Sequence, residues 1–105
     1  MVHYIALFRV GKGKGAEDLE DLIRESRMCF HQIHEATNVR SGRALDPKSE
    51  FPFFLSADFE SLDKYRMFRD DPRFVRFEKE VLKPGTTSRV EHLYETDPGK
   101  DPKYS

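Results

Sequence analysis

Val2-His3-Tyr4-Ile5-Ala6-Leu7-Phe8-Arg9-Val10 is the stretch that decides the fold class. It is β-branched and aromatic and gives way to Gly11, which reads as a strand. Its two faces are both apolar. Tyr4, Ala6 and Phe8 point one way, and Ile5 and Leu7 point the other. A strand of this kind has to be covered on both sides. Phe51 to Phe59 is a second strongly apolar strand, with Phe53 and Leu55 on one face and Phe54 and Ser56 on the other. Pro52 belongs at its start, because proline has no N–H to donate to the ladder.

Working outward, Gly11-Lys12-Gly13-Lys14-Gly15 is a loop. Ala16 to Glu35 reads as a helix, with Leu19, Leu22, Ile23, Phe30 and Ile33 at helical spacing and Ser26 on the same stripe. Glu17, Asp18, Glu20 and Asp21 suit its positive end. Val39 to Leu45 is polar enough for an edge strand, and Asp46-Pro47-Lys48-Ser49 supplies a turn. Ser61 caps a second helix whose apolar stripe is Leu62, Tyr65 and Phe68. Asp71 and Pro72 start a third, carrying Phe74, Phe77 and Val81 inward and ending before Pro84. Thr86 to Tyr94 is the last strand, with Val90, His92 and Tyr94 on one side. Residues 1–96 form one domain, and Asp97 to Ser105, with two prolines and a glycine, reads as a flexible tail.

The order β-α-β-β-α-β is the ferredoxin-like split βαβ pattern: a four-stranded antiparallel sheet with helices on one face. Its first and third strands are central, and those are the two most apolar here. The face opposite the helices is then an uncovered apolar surface. A second copy packed sheet to sheet about a two-fold axis is the simplest cover, so a homodimer through the open face is expected.

The chain has 105 residues, enough for one ordinary domain. Eighteen basic and 19 acidic residues give a net charge of −1, which argues against a nucleic-acid partner or an anionic membrane surface. One cysteine, Cys29, cannot form an intrachain disulfide. The apolar run Val2 to Phe8 is too short for a membrane span and has no basic stretch before it. A cytoplasmic location is the expectation.

Three stretches carry a resemblance to a known family: Asp58-Phe59-Glu60-Ser61-Leu62, Asp70-Asp71-Pro72-Arg73-Phe74-Val75 and Val81-Leu82-Lys83-Pro84. With the opening His3 to Arg9, they make residues 2 to about 95 resemble the stress-responsive α/β-barrel family of dimeric α+β barrels. Related barrels include antibiotic-biosynthesis monooxygenases and plant polyketide cyclases. The resemblance implies the dimeric barrel and a cleft between sheet and helices. It also exposes departures. The family commonly has His-Pro-x-His where this chain has Asp71-Pro72-Arg73-Phe74. Cyclase members pair the second His with a Tyr six residues earlier, and Phe74 and Phe68 stand at those positions. Neither can move a proton. The family's first-strand His falls at Tyr4, and His3 is one residue off, on the opposite face.

The resemblance therefore implies a small homodimeric barrel protein with no settled catalytic role, binding a small hydrophobic ligand in the sheet–helix cleft. Tyr4, Tyr65, Phe68, Phe74 and His92 are the candidate cleft residues, and no catalytic residue is assigned. The alternative is a cofactor-independent cyclase or monooxygenase-like enzyme acting on an aromatic or polyketide-like substrate, with Tyr4, Tyr65 and His92 as its polar groups. No cofactor is called for. Haem handling, known in some related barrels, would need His3, His31, His34 or His92 as an axial ligand.

Other features have plainer readings. His31, His34 and Glu35 have the i,i+3 spacing a metal can use, but a third ligand from elsewhere is not visible, and no metal site is predicted. The Gly11–Gly15 loop fits neither phosphate-binding fingerprint. Arg66, Arg69, Arg73 and Arg76 read as a solvated charged face. Cys29 lies off the main helical stripe and reads as an inert thiol.

Overall fold

The computed structural model describes residues 1–11 and 15–96. Alternation in the first strand, β1 (Val2–Arg9), organises the rest. Tyr4, Ala6 and Phe8 are buried, while His3, Ile5 and Leu7 stay half-exposed on the other face. β3 (Phe53–Phe59) runs antiparallel to β1 with Ala6 opposite Leu55, so Phe53, Leu55, Ala57 and Phe59 join the same buried layer. β4 (Ser88–Glu95) pairs with the other edge of β1, and β2 (Thr37–Arg43) pairs with β3. The sheet order β2-β3-β1-β4, antiparallel throughout, is that of the ferredoxin-like α+β fold. The two most apolar strands occupy the centre, as their composition requires.

α1 (Ala16–Gln32) lays Leu22, Ile23, Ser26, Cys29 and Phe30 against this layer. Ser26 is fully buried and donates to the Ile23 carbonyl at 2.9 Å, which is how a hydroxyl is tolerated in the apolar stripe. The helix stops three residues sooner than its periodicity suggests. Ile33 already has extended backbone, yet its side chain is fully buried. Anchoring Ile33 in the core therefore turns the chain away, and His34 and Glu35 leave the helix. The His31/His34 pair shares no helical face.

β2 starts at Thr37, earlier than its composition suggests, because a bulge between Thr37 and Arg40 carries the weak end of the strand. Asn38 in that bulge has φ 49°, a left-handed conformation Asn tolerates. β3 begins only after Pro52, which has no N–H for the ladder; its carbonyl instead accepts from Ala44 at 2.9 Å.

α2 (Leu62–Asp70) is capped by Ser61, whose hydroxyl accepts the Lys64 N–H at 3.2 Å. Asp71 ends α2 and caps α3 (Pro72–Phe77), accepting the Arg73 N–H at 2.8 Å. Both caps and the break between the helices lie where the sequence places them. Leu62, expected on the buried stripe, is 42% exposed, so α2 begins outside the core. After Phe77 the helix does not end before Pro84. A five-residue π-helical segment, Glu78–Leu82, leads into a last turn, α4 (Lys83–Gly85). Pro84 then lies within a helical stretch that runs on directly from the π-helical segment and ends at Gly85. Among the described residues, no helix is long and apolar enough to cross a membrane. The tail expected at 97–105 lies outside the described residues.

The core is a set of phenyl rings centred on Phe68. Its centroid lies 4.7 Å from Phe74, 4.8 Å from Phe30 and 5.0 Å from Phe59, so one ring ties α1, β3 and α3 to α2. Such pairs add to simple burial. Across the open face, Asp58 accepts from His3 at 2.6 Å and from Asn38 at 3.0 Å, joining β1, β2 and β3 at one end of the sheet. Partial burial opposes ionisation of Asp58, but the bonds from His3 and Asn38 outweigh it and hold its pKa below the ordinary value.

Phe68→Ala should destabilise the fold by about 3–5 kcal/mol in urea unfolding. Met67→Ala, next door but 53% exposed, should stay within about 0.5 kcal/mol. A Phe68→Ala loss below about 1 kcal/mol would remove this ring from the centre of the core. The depressed Asp58 pKa means that its contribution is complete above the ordinary Asp value of about 3.9 and is lost as pH falls through the lower folded value. The stability difference between wild type and Asp58→Asn should therefore be constant near neutrality and shrink below about pH 4. A difference that persists unchanged into acid would contradict the ionic role.

Candidate functional site

The register of β4 against β1 determines what faces the helices at this edge. Arg89 is paired with Phe8, Glu91 with Ala6 and Leu93 with Tyr4. Directly opposed residues share a face, so Arg89, Glu91 and Leu93 lie on the helix side. The small Ala6 leaves room beside it for the Glu91 carboxylate. Tyr4, one position over on the same face of β1, donates its hydroxyl to Glu91 Oε2 at 2.6 Å.

α2 contributes the rest. Tyr65, Phe68 and Arg69 stand at i, i+3 and i+4, one face of a helix. Phe68 enters the core. The Tyr65 ring lies 5.8 Å from Tyr4 and 5.2 Å from Phe59. Arg69 donates to Glu91 Oε2 at 3.2 Å and lays its guanidinium over the Phe74 ring, 4.9 Å from the centroid. Beside this set, Arg89 grips Glu78 with both guanidinium nitrogens and sits 5.3 Å over the Phe8 ring. Glu78 is the first residue of the π-helical segment, whose widened turn is therefore pinned to the edge strand.

Burial, and then the Glu91 carboxylate beside it, push the Tyr4 phenol well above its usual range. Tyr4 thus stays protonated and acts as a donor that fixes Glu91. Burial also raises the Tyr65 phenol, against the opposing pull of Arg69. The bonds to Glu91 converge on Oε2, leaving Oε1 without a hydrogen-bond partner among the described residues. The Glu91 side chain is 30% exposed, so this oxygen belongs to a group water and small molecules can reach.

Next to this set opens a cleft of about 410 Å³, lined by Arg69, Phe74, Val75, Glu78, Lys79 and Lys83. Of the candidate residues, Phe74 and Tyr65 border the cleft or its polar set, and Tyr4 is the buried member of that set. Phe68 lies deeper, 1% exposed, and supports Phe74 from behind. His92 stands elsewhere. It is paired with Ile5 and lies on the open face of the sheet, its ring 5.9 Å from Tyr94. The alternation of β4 is sound, but its phase is the reverse of that expected, because the apolar set Val90, His92 and Tyr94 faces away from the helices.

Glu91, Arg69, Arg89 and Glu78 are side chains of the candidate site that sequence reasoning missed. Arg69 was hidden in a run of arginines that reads as solvated surface. The available signal was Arg89 and Glu91 at i,i+2 on an edge strand, two charges that one face of a sheet must pair. Elsewhere, Cys29 is buried rather than off the stripe, its Sγ 3.8 Å from the Arg73 carbonyl. Burial pushes its thiol up to about 11, the pKa of an inert thiol. Among the described residues, no three His, Cys, Asp or Glu side chains are grouped to hold a metal ion.

No family model matches the chain, and no curated protein is significantly similar to it. Solved structures are. A DABB family protein with a ferredoxin-like fold from Mesorhizobium loti superposes with a TM-score of 0.80 at 18% identity, over 90% of this chain and 95% of that one. A dimeric ferredoxin-like protein of unknown function from Thermobifida fusca gives 0.79 at 23%, over 90% of each chain. The hydroxynitrile lyase of Passiflora edulis gives 0.79 at 19%, over 92% and 94%. The fold implied by the resemblance to stress-responsive α/β-barrel proteins is therefore the fold this chain has: a ferredoxin-like domain of the kind found in DABB proteins.

Proposed function

We propose that the chain is a homodimeric α/β-barrel protein that binds a small hydrophobic ligand in the cleft formed by α2, α3 and the π-helical segment. One observation carries this reading. A cleft with Phe74 and Val75 in its wall lies beside a fixed polar set, Tyr4, Arg69 and Glu91. An apolar wall with a few convergent polar atoms is the general form of a small-molecule site. The dimer is supported by the open sheet face, where Ile5, Leu7, Val90 and Tyr94 remain partly or largely exposed. The Thermobifida fusca neighbour in fold is itself dimeric.

A second reading is a cofactor-independent enzyme acting on an aromatic or polyketide-like substrate. Glu91 is what favours it. A carboxylate held on one oxygen by Tyr4 and Arg69, with the other oxygen available, has the form of a general base. In that reading Glu91 takes the proton-transfer role that Phe68 and Phe74, at the Tyr and His positions, cannot fill. His92 has no part in it, since the sheet separates it from Glu91.

Size-exclusion chromatography with light scattering should give twice the chain mass at micromolar concentration. Leu7→Glu on the open face should shift this to the monomer with the far-UV spectrum retained. A wild-type monomer would overturn the dimer. For the cleft, titration with the neutral probe 1-naphthylmethanol should move the backbone amide resonances of Arg69, Val75, Lys79 and Lys83. Val75→Trp, which fills the cleft from an exposed position, should abolish those shifts. Shifts confined to β1 and β4 residues of the open face would instead place binding on the other side of the sheet.

A further inference from the structure

The charges around the cleft do not follow the chain as a whole. The chain carries a net charge of −1. The residues that line or adjoin the cleft are four cations, Arg69, Lys79, Lys83 and Arg89, and two carboxylates, Glu78 and Glu91, a local balance of +2. The carboxylates are committed. Glu78 gives both oxygens to Arg89, and Glu91 Oε2 takes Tyr4 and Arg69. Arg69 and Arg89 are spent on the same pairs. Lys79 and Lys83 are left over: among the described residues, no carboxylate lies within ion-pair distance of either ammonium.

The two lysines are placed where a ligand would meet them. They are four residues apart across the π-helical segment and border the same cleft as Phe74 and Val75. Val75 is 52% exposed, an apolar surface at the mouth. The cleft thus has an apolar side, Phe74 and Val75, and an uncompensated cationic side, Lys79 and Lys83. Its other charged groups are already paired.

Resting on the binding reading above, we infer that the cleft selects amphipathic anions: a flat apolar body against Phe74 and Val75, and a carboxylate or similarly charged group held between Lys79 and Lys83. Glu91 is engaged by Tyr4 and Arg69, and Glu78 by Arg89. A neutral compound of the same shape meets the same apolar wall but leaves both ammonium groups to water.

Three probes separate the possibilities in calorimetric and NMR titrations of the full chain: 1-naphthoate, its neutral analogue 1-naphthamide, and acetate. Naphthoate should bind about three- to tenfold tighter than naphthamide, the range of two exposed ion pairs. The preference should fade as ionic strength rises from about 0.01 M to 1 M, because these lysines are screened by salt. Lys79→Gln/Lys83→Gln should remove the preference and leave naphthamide affinity unchanged. Lys48→Gln, in the turn before β3, should alter neither. Equal affinity for naphthoate and naphthamide would overturn charge selection while leaving the hydrophobic-ligand reading intact. Failure of both aromatic probes to move the cleft resonances would overturn that reading as well. Acetate binding as tightly as naphthoate would reduce the site to an anion hole and refute the apolar half of the inference.

Discussion

Everything in this fold depends on the pairing of β1 with its two neighbours. Because side chains alternate strictly along a strand, the register Ala6–Leu55 on one edge and Ala6–Glu91 on the other assigns every residue of three strands to one of two faces. One face receives Tyr4, Phe8, Phe53, Leu55 and Phe59 and becomes the core. The other receives His3, Ile5, Leu7, Asp58, His92 and Tyr94 and is left uncovered. A slip of one residue between β1 and β4 would exchange His92 for Glu91 beneath the helices. It would place an imidazole beside Tyr4 and Arg69 and strand the carboxylate on the open face. The chemistry available beside Tyr4 and Arg69 is thus set by register before any property of the individual side chains matters.

The second constraint is volume. Two phenyl rings, Phe68 and Phe74, stand where catalytic relatives implied by the resemblance carry a tyrosine and a histidine. In this chain they touch at 4.7 Å and are almost wholly buried. A Phe in place of a polar residue removes a proton-transfer group and also closes the space around it, since a buried ring is stabilised by contact on all sides. The open volume accordingly lies outside Phe74, toward the π-helical segment. The polar groups that line it, Arg69, Glu78, Lys79 and Lys83, come from α2, the π-helical segment and α4.

Much of this was legible in the sequence. The order of elements follows from the change of period between strands and helices. The caps at Ser61 and Asp71 are local chemistry: a side-chain oxygen two or three residues before an unsatisfied N–H needs no knowledge of the rest of the fold. The central position of β1 and β3 follows from their two apolar faces. The parts that were not legible are non-local. Ile33 ends α1 because the core claims its side chain, which no helix propensity records. The π-helical segment starts at Glu78, which is held by Arg89 from a strand eleven residues on. The phase of β4 is the clearest case. Val90, His92 and Tyr94 are the less polar set, and burial alone would send them to the core. They face the other way because Arg89 and Glu91 have partners under the helices, and Val90 and Tyr94 lie on the face proposed for a second copy.

Those two consequences of the β4 phase are linked. An edge strand that places charge on its helix side and apolar or aromatic groups on its open side inverts the usual arrangement, in which the outward face is polar. The inversion is tolerable only if both faces find partners. On the helix side the partners are Tyr4 and Arg69 for Glu91, and Glu78 for Arg89. On the open side Ile5, Leu7, Val90 and Tyr94 remain partly or largely exposed among the described residues, and the proposed second copy is the cover that satisfies the same logic. The proposed dimer face and the charge pairs beneath the helices are then two sides of one sequence choice in β4. The charge pairs that let this strand turn its apolar side outward are the same ones that occupy Glu78 and Glu91, and among the described residues no carboxylate lies within ion-pair distance of Lys79 or Lys83.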